Sequence, residues 1–307
     1  MATFGILHDF RQALPHTCGY PEYYAECLDE VVAAERLGFD TVWLSEHHRT
    51  PDGMPPSPLV LAAAIAARTT TIRIGTSILV LPLHHPLRVA EDAAAVDLLS
   101  GGRLVLGVGQ GYREREFAAF GVDRRRRGAL LEEKLAIVRQ GLAGAVTPGP
   151  QRTVPVYVGG VTEAGLRRAA RLGDGVIVYC GTPADLLARR ELLDGIAPDT
   201  PLVATTIMHV AEDADEAWAQ AAPGIAYLEG QLAASGEPLR SPDTPVHDRE
   251  AYLVGTPETV AARLGQLRDH LRFVHFAHWA RLPGMSHAGA LESLRLVAER
   301  VVPVVSG

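Results

Sequence analysis

Lysine is almost missing from this chain. Lys134 is the single one, so the 29 basic residues are otherwise arginines. It falls in EEKLAIV, on a helix whose apolar stripe is Leu131, Leu135, Val138 and Leu142, and it points away from that stripe. Barrel aldolases and PLP enzymes form a Schiff base on a buried amine, so the sequence argues against both. Cysteine is equally scarce. Cys18, Cys27 and Cys180 are scattered and form no CxxC pair, so neither a disulfide framework nor a thiolate metal site is indicated. No apolar run approaches the roughly 20 residues of a membrane span. A basic excess is absent too: the net charge of -7 and pI near 5.9 leave no face for nucleic acid. The one basic run, Arg124 to Arg127, opens a helix and reads as a solvated or carboxylate-paired face. The N-terminal MATFGILHDF has neither a basic region nor a cleavage site, so the expectation is a cytoplasmic protein with no signal peptide.

What is present is a long, apolar, regularly punctuated chain. Its 307 residues and 47% apolar content suit one barrel of roughly 250 residues with insertions, taken as a single domain over 1–307. The stretch from Gly38 to His48, GFDTVWLSEHH, is the most informative. It reads as a helix stop, a buried strand (Thr41, Val42, Trp43, Leu44), and then Ser45, Glu46, His47 and His48 where the strand ends.

The same alternation runs through the chain. Strand one is Thr3 to Leu7, ending in His8 and Asp9. Pro21 and Glu22 begin a helix whose inner face is expected to hold Tyr24, Leu28, Val31 and Val32, with Gly38 at its end. Ile72 to Leu83 holds strand three and runs into His84 and His85, and Pro86 starts a helix that SGG at Ser100 to Gly102 ends. Strand four is Leu104 to Val108. A helix from Arg124 to about Leu142 follows, then strand five in VPVYV, with Thr162 as the cap of the next helix and Gly173 as its stop. GVIVY is strand six and PLVATTIMHV strand seven. Ser235 to Val254, rich in proline and charge, reads as an insertion or mobile loop. FVHFAHW is strand eight, and Leu291, Leu294, Val297 and Val301 line a final helix. Eight strands alternating with helices define an α/β chain and predict a (β/α)8 TIM barrel with insertion loops at its C-terminal face. A doubly wound sheet is the alternative, because counting elements does not show closure.

Barrel chemistry gathers at the C-terminal ends of strands. The candidates there are His8, Glu46, His47, His48, Ser77, the glycines after strand four, the turn from Gly159 to Thr162, and Tyr179 with Cys180. GVGQG lacks GxGxxG spacing, and no acidic residue closes a following strand, so it does not read as a Rossmann dinucleotide site. YVGGVTEAG is stronger. Two glycines let backbone approach a ligand, and a helix starting at Thr162 offers free N–H groups to a phosphate. The plainer reading is that Gly159 and Gly160 only make a tight turn.

Five segments carry a resemblance: GFDTVWLSEHH, IRIGTSILVLPLHHP, DLLSGGRLVLGVGQGYREREFAAFGVD, VPVYVGG and YLVGTPETVAARL. Together they resemble the bacterial luciferase-like flavin-dependent monooxygenases. The likeness runs from Thr3 to Pro303, is dense from Gly38 to Asp123 and thin from Thr182 to Asp248. It implies a barrel holding reduced FMN across its C-terminal mouth, with O2 activated there to oxygenate a small organic substrate. It further implies His47 near the flavin ring with Glu46 beside it as the catalytic pair. A cis peptide is implied between Ser77 and Ile78, as are cofactor contacts from His8, Ser77, Ile78, Gly109, Gln110, Tyr112, Gly159, Gly160, Val161 and Thr162. A separate flavin reductase and a homodimer are implied on the same ground.

Two positions depart from the family. Gln110 stands where luciferase-type members have an arginine for the flavin phosphate, and Val161 where they have a carboxylate. An amide cannot supply the charge-assisted fork of a guanidinium, so phosphate binding is expected to rest on the backbone from Gly159 to Thr162. Relatives that use the deazaflavin F420 share the barrel, which keeps F420 open as the cofactor. Two rivals stand beside this reading. One is a metal-dependent barrel hydrolase with His8, Glu46, His47 and His48 as ligands, opposed by the facing of neighbouring residues on an extended strand. The other is a non-catalytic member that binds flavin or has lost it, opposed by the presence of Glu46 and His47.

Overall fold

Short runs of aliphatic and β-branched residues alternate in the face they bury, and that period of two builds a core on each side of one sheet. The structure, a computed structural model, describes residues 2–179, 181–234 and 248–306. Eight strands form the ring: β1 Thr3–His8, β2 Thr41–Leu44, β3 Arg73–Thr76, β4 Leu104–Gly109, β5 Val156–Gly159, β6 Gly175–Tyr179, β7 Leu202–Thr206 and β8 His275–Trp279. All pair in parallel, β1 lies between β2 and β8, and β3 pairs with β4 to close the ring. The chain is therefore a (β/α)8 barrel. The doubly wound alternative fails because it would leave two open edges.

Leu7, Trp43, Val105, Ile177, Val203 and Ala277 point inward and fill the barrel. Their neighbours Ile6, Val42, Leu44, Leu106, Val176 and Ala204 point outward and pack beneath the helices. The helices are α1 Tyr20–Arg36, α2 Pro58–Ala66, α3 Pro86–Ser100, α4 Glu114–Ala119, α5 Arg127–Gln140, α6 Glu163–Leu172, α7 Pro183–Asp194, α8 Ala214–Ala234, α9 Pro257–Leu271 and α10 His287–Leu296. Local chemistry sets their ends. Thr162, Thr182 and Thr256 each accept a hydrogen bond from the backbone N–H three residues on. Gly38 adopts φ +87°, and a Cβ there would meet nothing within 4 Å, so conformation rather than space calls for glycine.

Three expectations change. The buried face of α1 is Tyr23, Cys27, Glu30, Val31 and Ala34, one position off the apolar stripe of Tyr24, Leu28 and Val32. The reason is Glu30, whose carboxylate is fully buried and meets His8, Arg281 and His287, a polar demand that outweighs the apolar pattern. Strand seven breaks at Ile207: Met208–Val210 leaves the ring and pairs in parallel with Leu253–Gly255. The end of the expected loop from Ser235 to Val254 is therefore strand. Its part from 235 to 247 lies outside the described residues, as does Cys180. The arginine run behaves as expected, with Arg124, Arg125 and Arg126 paired to Glu114, Asp123 and Glu133.

Candidate functional site

Because every ring strand is parallel, His8, Leu44, Thr76, Gly109, Gly159, Tyr179, Thr206 and Trp279 all end at one mouth. Past Leu44 the chain leaves the strand, and successive side chains take different partners. His47 Nδ1 lies 2.9 Å from Glu116 Oε1 on α4, and the backbone N–H of His48 donates to the same oxygen at 3.0 Å. Glu116 is buried. Burial alone would raise its pKa, but the His47 hydrogen bond and the nearby charge of Arg113 hold it below the ordinary carboxylate range. An ionised Glu116 only accepts, so Nδ1 of His47 carries the proton and Nε2 keeps its lone pair. Burial, with repulsion from Arg113 and Arg11, holds the His47 imidazole below the usual histidine pKa, against the opposing pull of Glu116. His47 is thus a neutral, oriented base at neutral pH, with Tyr112 edge-on at a ring separation of 5.7 Å.

Glu46 does something else. Its Oε1 lies 2.7 Å from both His48 Nε2 and His84 Nε2, and its Oε2 accepts the Val80 N–H at 2.7 Å. With both oxygens taken and the side chain fully buried, Glu46 holds the ends of β2 and β3 together. His8 follows the outward face of β1, and its Nε2 lies 2.7 Å from Glu30 Oε2, under α1. The four ligands of the metal reading therefore have three different partners, Glu30, Glu116 and the Glu46 carboxylate with its two imidazoles. Among the described residues two groups, His8 with Cys27 and Glu30, and Glu46 with His48 and His84, bring possible ligand atoms within 4.8 Å. Hydrogen bonds already account for the carboxylate and imidazole contacts in both.

The floor of the mouth is built on the Ser77–Ile78 peptide, which is cis. Ile78 lies across the ends of β4 and β5. A Cβ on Gly109 would come within 2.6 Å of its side chain, and one on Gly159 within 3.1 Å. A Cβ on Gly160 would instead meet the backbone of Gly165, 2.8 Å away, in the first turn of α6. The glycines after β4 and β5 are accordingly required by protein packing, which supports the tight-turn reading for their side-chain direction. Val161 and Thr162 are exposed at the start of α6. Arg168, on the second turn of α6, donates from Nη1 to Gln110 Oε1 at 3.2 Å while its Nε bonds Glu132. A guanidinium thus stands next to the amide that replaces the family arginine.

The walls are aromatic and carry unmatched polar atoms. Tyr179 and Trp279 pack edge to face at 5.1 Å, and Trp279 Nε1 donates to Asp9. Asp52, in the loop after β2, binds Arg11 at 3.1 Å and accepts from Tyr227 of α8, tying that loop to the helix. Among the described residues, Ser45 Oγ, Thr205 Oγ1 and two nitrogens of Arg113 are buried with no hydrogen-bond partner. Orphaned donors of this kind beside an oriented base and an exposed helix start fit a flat, polar ring with a phosphate tail. A second recess, lined by Asp40, Trp43, Tyr157 and His275, opens at the opposite, N-terminal end, away from this chemistry.

Glu116, Arg113 and Arg168 were not picked out from the sequence. REREF did carry a signal: Arg113 and Glu116 sit three apart just before the apolar Phe117, a spacing that puts them on one side of a helical turn.

Comparison with known proteins bears on the whole arrangement. The family described as luciferase-like monooxygenase matches residues 2–271. Limonene 1,2-monooxygenase of Rhodococcus erythropolis is 27% identical over 91% of this chain and 81% of its own length. The F420-dependent glucose-6-phosphate dehydrogenase of Kineococcus radiotolerans is 33% identical over 53% of this chain, and the match spans 55% of that protein. Several curated relatives are thus matched over about half their length or less, 48% for an uncharacterized protein, y4vJ, of Sinorhizobium fredii. The crystal structure of monooxygenase RslO1 from Streptomyces bottropensis superposes with a TM-score of 0.86 at 24% identity, covering 98% of this chain and 99% of that one. Motifs, barrel and family match agree, and the chain belongs to the luciferase-like monooxygenase family of enzymes.

Proposed function

We propose that this enzyme oxygenates a small organic substrate, using reduced FMN delivered by a separate reductase together with O2. The observation that carries the reading is His47, a neutral imidazole at the mouth whose tautomer Glu116 fixes. When bound, FMN supplies the two-electron chemistry with oxygen; the protein supplies orientation, exclusion of water and a place for the proton. Ile78, with Ser77, Gly109 and Gly159 around it, forms the floor for the ring. Tyr112 stands against His47, and Tyr179 and Trp279 wall the cavity and keep water out. His47 Nε2 accepts a proton, and Glu116 holds the resulting imidazolium in place. The phosphate end lies with the backbone of Gly160, Val161 and Thr162 at the start of α6, with Gln110 and Arg168 alongside.

A second reading keeps the same site and exchanges FMN for F420. The similarity to the Kineococcus dehydrogenase favours it. Fluorescence-quenching titrations with FMN and F420, each oxidised and reduced, separate the two. His47→Ala is expected to keep cofactor affinity and lose most turnover with reduced cofactor and O2. Full turnover in that variant would falsify the role given to His47.

A further inference from the structure

Arg113 is the feature of the mouth that the reading above leaves without a task. It follows Tyr112 at the start of α4, and only 5% of it is exposed. Among the described residues its guanidinium makes no hydrogen bond, and Nε and Nη1 are buried without a hydrogen-bond partner. Its protein contacts are an ion pair to Glu116 at 3.7 Å and the Tyr112 ring at 5.5 Å. Both are weak geometries for a group that offers five donors in a fixed fork. Glu116 Oε1 is moreover already committed to His47 and the His48 N–H. A buried cation with idle donors is costly, and a ligand that completes the fork would remove that cost.

The position says which ligand. Arg113 and His47 meet on the same oxygen of Glu116, so the cation stands beside the imidazole assigned to the ring. Taking up two electrons and one proton leaves the isoalloxazine with one negative charge, whereas the oxidised ring is neutral. We propose that Arg113 is the counter-cation for the reduced, anionic ring of the bound flavin, favouring that redox state over the oxidised one. This rests on the flavin reading and adds a redox preference to it. A neutral His47 complements the arrangement, because it adds no second positive charge beside Arg113.

The test is the midpoint potential of FMN bound to the whole protein, measured for wild type, Arg113→Lys, Arg113→Gln and Arg113→Met. Wild type should bind reduced cofactor more tightly than oxidised. The Gln and Met variants should lose at least tenfold of that preference, a shift of about 30 mV to lower potential, while Lys keeps most of it. Should Met fail to fold, Gln carries the same expectation, since it keeps a polar side chain at the site. Potentials equal to wild type in the Gln variant, with cofactor still bound, overturn the assignment and leave the flavin reading intact. Failure of wild type to bind FMN in either redox state overturns both.

Discussion

Replacing Glu116 with glutamine tests the His47 assignment without removing the imidazole. The carbonyl oxygen of the new amide can still accept from Nδ1 of His47 and from the His48 N–H, so the geometry at 2.9 and 3.0 Å is preserved. What disappears is the negative charge. A hydrogen bond to a charged partner contributes about 1.5–3 kcal/mol and a neutral one about 0.5–1.5, so the imidazolium form of His47 loses roughly 1–1.5 kcal/mol. That corresponds to about one pKa unit. The sign follows from the causes at the site: burial and the arginines already push His47 down and Glu116 opposes them, so neutralising Glu116 moves the pKa lower still. The assay is NMR of protein labelled with 15N-histidine, with His47→Ala to assign the resonance. Wild type should show the Nδ1–H tautomer and a pKa below about 6.5. In Glu116→Gln the same tautomer should persist to lower pH. If proton transfer to His47 limits turnover, the rate falls about tenfold. An Nε2–H tautomer in wild type, or a pKa that rises in the variant, would refute the reasoning.

Other consequences are open to direct measurement. Arg168→Met should weaken FMN about tenfold while riboflavin, which lacks the phosphate, binds as before; a partly exposed charge-assisted contact of about 1–1.5 kcal/mol sets that size. Equal losses for both ligands would remove Arg168 from the phosphate site. Acid should destabilise the fold earlier than carboxylate titration alone would. Burial lowers His275 and His278 to about 4 each. The unfolded chain therefore takes up protons below about pH 6.5 that the folded state refuses, and stability present above that pH is lost as it falls toward 4, by up to about 3 kcal/mol per residue. Urea midpoints at pH 7 and pH 4.5 read this directly, and a flat profile would count against it.

Much of the barrel was legible because its signals are local. Alternating apolar runs gave the ring strands, Pro86 and Thr162 marked helix starts, and Gly38 marked a stop, each through chemistry confined to a few residues. The failures share one cause, which is that long-range polar pairing is invisible in periodicity. Glu30 rotates α1 by a position because His8, Arg281 and His287 converge on it from distant segments. Leu253–Gly255 was hidden behind a stretch rich in proline and charge, and its partner Met208–Val210 looked like the continuation of strand seven. At the site, the motif drew attention to His47 but did not show the partners of its neighbours. Three hydrogen-bond partners converge on the Glu46 carboxylate, which the motif does not disclose. Glu116, 69 residues from His47 in sequence, is the carboxylate that orients the base.

The most direct test of the central claim is a crystal structure of the protein soaked with FMN. The account predicts the isoalloxazine over Ile78 with its edge toward His47, and the phosphate at Val161 and Thr162 within reach of Arg168. A flavin bound at the N-terminal recess, or one at the mouth with its phosphate turned away from α6, would contradict it.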